Sequence, residues 1–393
     1  MTAQVYIVAA RRTAIGTFGG ALKDKSPGEL AAHVTRDVLE IAGVDPASVG
    51  HVVFGQVIPT GPRDAYLARI ATLEAGLPQH VPALTLNRLC GSGLQAVVSA
   101  AQMIMLGDVG AAVAGGAEVM SRAPYFAPSV RWGQKMGDAM LVDGLNGALT
   151  DPFGGGLMGV TAENVAERHG VGRSRQDAHA VESHRRAAQA ITERRFVAQI
   201  TPVEVKSGRT VRSFDTDEHV RGDANVEDLG RLRTIFREGG TVTAGNASGI
   251  NDAAAALVLA GEAEVARQGL KPMARIVAYG HAGVDPNYMG MGPVPAVQAA
   301  LSRAGLTVAD MDVIESNEAF AAQACAVSDA LGFDPLRTNP NGSGISLGHP
   351  VGATGAIIAA KLVHELERIQ GRYGLATMCI GGGQGIALIV ERV

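Results

Sequence analysis

Cysteine is scarce in this chain of 393 residues: Cys90, Cys325 and Cys379 are the only three, and no two form a CxxC pair. An odd count so spaced excludes a disulfide framework and a thiolate metal centre, so no bound metal is expected and the reducing cytoplasm is the expected compartment. Charge of one sign is also lacking. With 34 basic against 38 acidic residues the net charge is −4, which provides no global positive field to gather nucleic acid or an anionic membrane. Long hydrophobic runs are missing too. The most apolar helical stretch, residues 94–106, is interrupted by Gln95 and Gln102 and ends before Asp108, short of the roughly 18 apolar residues that a membrane span needs. The first ten residues read as a strand (Val5 to Val8) running into Arg11 and Arg12, with no signal-peptide pattern. Proline is limited to 17 residues while glycine reaches 51 without any period, which excludes collagen and points to backbone-only contacts. Hydrophobic residues at 47% leave ample apolar surface for a core, and the length predicts two or three structural units.

The first third alternates short β-branched runs with Ala-rich helical patterns: strands at 5–8 and 52–54, helices at 28–42, 65–74 and 93–106. Such alternation predicts βαβ units and a largely parallel sheet covered on both faces. Residues 121–246 change character, with Trp132, the run Gly154-Gly155-Gly156 and charged helical sequence, and read as a large, more polar and loop-like insertion. After Lys271 the alternation resumes and contains an echo. Cys90-Gly-Ser-Gly leads to an Ala-rich helix, an apolar strand at 111–114 and Gly115-Gly-Ala-Glu118; His349-Pro-Val-Gly leads to another Ala-rich helix, a strand at 375–380 and Gly381-Gly-Gly-Gln384. The matching order predicts an internal duplication of one α/β unit, with a cleft where strand ends of the halves meet.

Cys90 stands at a strand-to-helix turn, where backbone N–H groups and the helix dipole favour a thiolate nucleophile; a small buried residue packing the turn is equally open. Cys379 ends a strand just before three glycines, whose free N–H groups suit developing negative charge. Cys325 lies on a helix with the apolar period Phe320, Ala324, Val327 and Leu331, and reads as core. His349 is presented by a glycine-rich loop with Pro350 at a helix start. Asn317 follows an apolar strand at 311–314, where an ordinary residue would be a helix N-cap. Two motifs fail in context. Gly344-Ile-Ser-Leu-Gly348 fits a nucleophile elbow, yet no acidic residue lies between Ser346 and His364, the last histidine. Gly154-Gly-Gly-Leu-Met-Gly159 fits a dinucleotide fingerprint but follows Asp151-Pro-Phe153, not a strand.

With Cys90, Asn317, His349 and Cys379 in place, the chain resembles the thiolase family over essentially its whole length, and within it the broad-specificity β-ketothiolases of the acetyl-CoA acetyltransferase type. The motifs carrying the resemblance are Asn87-Arg-Leu-Cys-Gly-Ser-Gly93, Gly115-Gly-Ala-Glu-Val-Met-Ser-Arg122, Met158-Gly-Val-Thr-Ala-Glu-Asn164, Gly245-Asn-Ala-Ser-Gly249, Asn317-Glu-Ala-Phe320, Gly348-His-Pro350 and Cys379-Ile-Gly-Gly-Gly-Gln-Gly385.

The resemblance implies an α/β thiolase fold, duplicated halves in a five-layered αβαβα arrangement: residues 1–120 completed by 247–270, a loop domain at 121–246 for CoA binding and tetramerisation, and residues 271–393. It implies that Cys90 is acylated, that His349 takes its proton, that Cys379 is the second acid/base, and that oxyanion holes are formed by His349 with a water on Asn317 and by the N–H groups of Cys90 and Gly381. It places Leu149, Arg221, Phe236, Ala244 and Ser248 along CoA, and Met158, Met289, Ala319 and Phe320 near the acyl and pantetheine end. No tightly bound cofactor is implied, since coenzyme A, acetyl-CoA, acyl-CoA and 3-ketoacyl-CoA are substrates, and a homotetramer (a dimer of dimers) is the implied assembly. Leu157 replaces the histidine usual in short-chain members, implying a less polar pocket wall. Related ketoacyl synthases typically carry two histidines beside the cysteine, and Cys379 argues against that chemistry; a silent CoA-binding scaffold would be expected to lose one of the four motifs.

Overall fold

The computed structural model describes residues 4–393. Its main sheet consists of two copies of one pattern. The first contains β1 (Val5–Arg12), β2 (Val49–Gly55), β3 (Ala83–Leu86), β4 (Ala111–Val119) and β5 (Asn251–Gly261), in the order β3-β2-β4-β5-β1. Neighbours β3, β2 and β4 are parallel, and β5 is antiparallel to both β4 and β1. The second contains β6 (Ala274–Gly283), β7 (Val313–Ser316), β8 (Tyr373–Ile380) and β9 (Gln384–Arg392), in the order β7-β8-β9-β6 with the same senses. Thr338, bridging Ile314 in parallel, marks the place that β3 fills in the first copy. The copies join edge to edge where Tyr6 faces Arg275 and Ile7 faces Ala274.

Helices cover both faces, which is why β4 and β5 are mostly Ala, Val, Leu and Gly and are buried throughout. Helix α1 (Pro27–Ala42) begins at a Ser26/Glu29 capping box with proline in the first turn, and it packs with α2 (Leu67–Glu74) over the first half. Helix α6 (Pro293–Ala304) covers β6 and β9. Between the sheets lie α3 (Ser92–Leu106) and α8 (Val351–Ile369), completing an αβαβα stack.

The two central helices meet backbone to backbone. A Cβ on Gly355 would lie 2.1 Å from the Leu94 nitrogen, one on Gly93 would lie 2.6 Å from the Ala356 nitrogen, and one on Gly116 would lie 2.2 Å from the Gly352 oxygen. At these three positions only glycine fits. The 18-residue stretch Leu89–Leu106 reaches a mean hydropathy of 1.5, enough by length and composition for a membrane span and longer than the sequence reading allowed. Here α3 is an interior helix of the central layer, and this burial accounts for its apolar sequence.

The region 121–246 carries its charged helical sequence as α4 (Met158–His169) and α5 (Arg173–Thr192), adds the hairpin Val203–Ser207 with Thr210–Phe214, and elsewhere is largely turn and coil. It is anchored on β1 by Arg12, fully buried, whose guanidinium reaches both carboxylate oxygens of Asp217 at 2.7 and 2.9 Å. The glycine echo needs correction. Gly115 to Glu118 lie inside β4, paired to β5, whereas Gly381 to Gly383 form the turn between β8 and β9. By register Glu118 corresponds to Cys379, since each stands one residue before its strand's end. Each half therefore ends a strand against the start of the other half's central helix.

Candidate active site

Cys90 sits between the Leu86 end of β3 and α3, held by a tight turn in which Leu89 adopts φ +48°. A leucine with positive φ is uncommon and marks a strained presentation of its neighbour; Asn87 Oδ1 accepts the Leu89 N–H at 2.8 Å and supports the turn. Two main-chain N–H groups, those of Gly381 and of Cys90 itself, point at the sulfur. Burial nevertheless raises the thiol above its ordinary value, the two N–H groups opposing it and the Glu118 charge adding to it. The helix start therefore does not produce the resting thiolate that position alone suggested, because desolvation outweighs it.

Cys379 lies at the end of β8, buried in a small cluster with Met289 and Ala319, against which Met158 and Phe320 pack. Burial pushes its thiol well up, and the charge of Cys90 acts in the same direction, so the two sulfurs are electrostatic neighbours. Gly381 is closed over by Met158, whose Cε would be 3.2 Å from a Cβ at that position.

His349 precedes α8, with its N–H donated to Asn251 Oδ1 at 2.9 Å. Its Nδ1 is 2.7 Å from Thr354 Oγ1, and that hydroxyl lies 2.9 Å from the Pro350 oxygen, to which it donates. The hydroxyl's proton being committed, it accepts from Nδ1–H, which leaves Nε2 unprotonated and facing Asn317 Nδ2 at 3.5 Å. Burial lowers the imidazole to about 4, so the ring is neutral at neutral pH. Asn317 follows β7 and is fully buried; it caps no helix, since α7 (Ala321–Leu331) starts later, at the N-cap Phe320. Its Oδ1 has no protein partner among the described residues.

The structure brings most of the other candidates to the same place. Cys90 and Leu149 both pack on Ile58, Met120 and Val351, and Met158 donates its N–H to the Leu149 oxygen at 2.9 Å. Phe236 stands edge-on to Phe320 with ring centroids 6.2 Å apart, seated where a Cβ on Gly159 would come within 2.2 Å of its ring. Ser248 donates its N–H to the Ala319 oxygen at 2.9 Å. Ala244 and Arg221 are exposed, the latter with its N–H donated to His184 Nδ1 at 3.1 Å. Leu157 is 40% exposed at the start of α4, its backbone paired with Thr150.

Family models match almost the whole chain: the thiolase N-terminal domain over residues 5–263 and the thiolase C-terminal domain over residues 270–392. The chain belongs to the thiolase family. Among its relatives, the beta-ketothiolase BktB of Cupriavidus necator is 63% identical over 394 residues, covering 100% of both chains. An acetyl-CoA acetyltransferase of Chromobacterium violaceum is 49% identical, covering 99% of this chain and 100% of its own. Among solved structures, human mitochondrial 3-ketoacyl-CoA thiolase in complex with CoA superimposes with a TM-score of 0.97 at 43% identity, covering 100% of this chain and 98% of that one. This thiolase is accordingly an acyltransferase of the β-ketothiolase and acetyl-CoA acetyltransferase kind.

Three further residues of the thiolase went unnoticed in the sequence. Thr354 fixes the His349 tautomer, and its signal is its place in the first turn of the helix that His349 leads into. Asn251 holds the His349 main chain and, through Nδ2, the Gly16 oxygen at 3.0 Å; nothing in its spacing points to that. Glu118, fully buried, accepts the N–H groups of Val57 and Gly352 at 2.9 Å and of Ile58 at 3.1 Å, tying β4 to the start of α8. Burial raises its carboxyl to about 8.

Proposed function

We propose that the protein catalyses CoA-dependent cleavage of 3-ketoacyl-CoA and the reverse Claisen condensation of acetyl-CoA with an acyl-CoA. What carries this assignment is the juxtaposition of two thiols, half-buried Cys90, which receives the Gly381 and Cys90 N–H groups, and buried Cys379, beside a neutral histidine whose free Nε2 faces Asn317. In thiolysis His349 takes the Cys90 proton and the sulfur attacks the 3-keto carbon. The C2–C3 bond breaks, leaving an acyl-Cys90 thioester and an acetyl-CoA carbanion, which Cys379 protonates. The thiol of CoA then attacks the acyl-enzyme and releases acyl-CoA, so the kinetics are ping-pong. The Cys90 and Gly381 N–H groups stabilise one oxyanion; His349, with a water on Asn317, stabilises the other.

Leu149, Arg221, Phe236, Ala244 and Ser248 would line the CoA path, with Arg221 meeting a phosphate, and Met158, Met289, Ala319 and Phe320 would enclose the acyl and pantetheine end. We assign residues 1–120 with 247–270 and residues 271–393 to the two catalytic halves, and 121–246 to CoA binding and assembly. A homotetramer is supported by the short hairpin Tyr125–Phe126 with Val142–Asp143, between whose strands Trp132 and Met136 are each 89% exposed; the cytoplasm is the compartment that goes with this reading. The test is release of acetyl-CoA from 3-ketoacyl-CoAs of graded chain length, with Cys90→Ala as control. Cleavage lost in the control is expected; cleavage surviving it overturns the acyl-Cys90 mechanism.

A further inference from the structure

A second cysteine–histidine–carboxylate cluster lies behind Asn317, outside the reacting groups. A cavity of about 340 Å³ opens between α5, α7 and the segment 333–339, lined among others by His179, Ser183, Glu318, Cys325, Asp329 and Asn339. At its floor the Glu318 carboxylate, 1% exposed, is bound by three donors: His179 Nε2 at 3.0 Å, Ser183 Oγ at 2.7 Å and Asn339 Nδ2 at 3.2 Å. The Cys325 thiol, 4% exposed, lines the same cavity as the His179 ring, 28% of whose side chain stays exposed. Burial alone would lower this imidazole, but Cys325 and Glu318 hold it up at about 10. An imidazolium against a thiol, oriented by a carboxylate, is the arrangement that makes cysteine reactive. One side of Cys325 packs in a buried cluster with Val165, Val171 and Ala326, and the other lines the cavity; the proposed thiolysis uses none of these groups.

We propose that Cys325 is a second reactive thiol, oriented by His179 and Glu318 and reached through this cavity by a small disulfide, and that its modification impairs catalysis. In the step the Cys325 sulfur attacks one sulfur of the reagent. The reagent's S–S bond breaks, a new S–S bond to Cys325 forms, and the departing thiolate takes the proton that the Cys325 thiol gives up. Cys325 is oxidised and the released half of the reagent is reduced. The adduct draws His179 away from Glu318, leaving a buried carboxylate short of a donor one residue from Asn317.

The test exposes the full chain to cystamine and maps adducts by peptide mass spectrometry, in wild type, His179→Gln and Cys325→Ser. The expected result is a Cys325 adduct in the folded protein, formed at least ~10-fold more slowly in His179→Gln. Activity lost under the same exposure should be greater in wild type than in Cys325→Ser, and a thiol reductant should restore the difference. Mapping separates this effect from any adduct on Cys90, and the first comparison stands even if Cys325→Ser fails to fold. A Cys325 that reacts only after denaturation, one that reacts as fast in His179→Gln, or an adduct without loss of activity overturns the proposal.

Discussion

Replacing Thr354 with valine tests how the His349 proton is placed. Valine keeps the shape of threonine but removes the oxygen 2.7 Å from Nδ1 and leaves that N–H buried without an acceptor. An unmet buried donor costs about 1–3 kcal/mol. The ring can avoid part of this cost by moving its proton to Nε2, but Nε2 faces Asn317 and in the proposed mechanism must be free to take the Cys90 proton. Charged to the reaction at about 1.4 kcal/mol per tenfold, the loss is ~5- to 150-fold in kcat/KM. The assay is steady-state thiolysis together with the rate of Cys90 acetylation by acetyl-CoA, followed as a mass increase on the intact chain. Thr354→Ser retains the hydroxyl and should recover most of the rate, which separates tautomer control from packing. A Thr354→Val enzyme within twofold of wild type, or a serine variant no better than valine, would refute the reasoning.

Because burial holds His349 near 4 instead of 6.5, kcat/KM should stay level on the acid side down to about pH 5, and an inflection between pH 6 and 7 would contradict a neutral resting imidazole. The same shift makes the unfolded chain bind the proton first, so its contribution to stability is complete above pH 6.5 and is lost as pH falls toward 4, which denaturant titrations across that window would read. Leu157→His should move the chain-length profile of thiolysis toward acetoacetyl-CoA; an unchanged profile separates that residue from selectivity. Trp132→Asp, at a position 89% exposed, should convert the proposed tetramer to a dimer in light scattering, and a tetramer that forms unchanged would remove the hairpin from the assembly. Arg12→Ala strands the buried Asp217 and should cost ~3–5 kcal/mol in denaturant unfolding, whereas a loss below 1 kcal/mol would show that the anchor is dispensable.

The duplicated α/β plan was legible because covered strands and central helices are largely apolar, and the stretches at 111–114 and 375–380 with the Ala-rich helices before them stood out that way, whereas β5 was not read as a strand. Boundaries were less legible where glycine plays two roles. Gly115 and Gly116 resemble a turn in sequence but stay in β4, where a Cβ on Gly116 would meet the backbone of α8 at Gly352 and one on Gly115 would meet the Ala255 oxygen of β5 and the Phe54 ring. Cys90, His349 and Cys379 stood out by their places at element ends. The groups that orient them did not, since Asn251 reaches His349 across 98 residues and Glu118 reaches Gly352 across 234, distances over which local pattern carries no signal. The state of Cys90 was misjudged for a related reason: a helix start can be read from neighbouring residues, but desolvation depends on what the rest of the chain lays over the sulfur.

The backbone contact between α3 and α8 bears on how the enzyme can be altered. Side chains usually act as adjustable spacers between packed helices, but here there are none to adjust at the closest points, so the separation of Cys90 from His349 is set by main-chain thickness. Chimaeras that take one half from a relative should succeed only when the donor keeps glycine at 93 and 355. Redesign of acyl specificity, by contrast, can proceed in the segment from Leu149 to Met158, which borders the reacting groups without setting the distance between them.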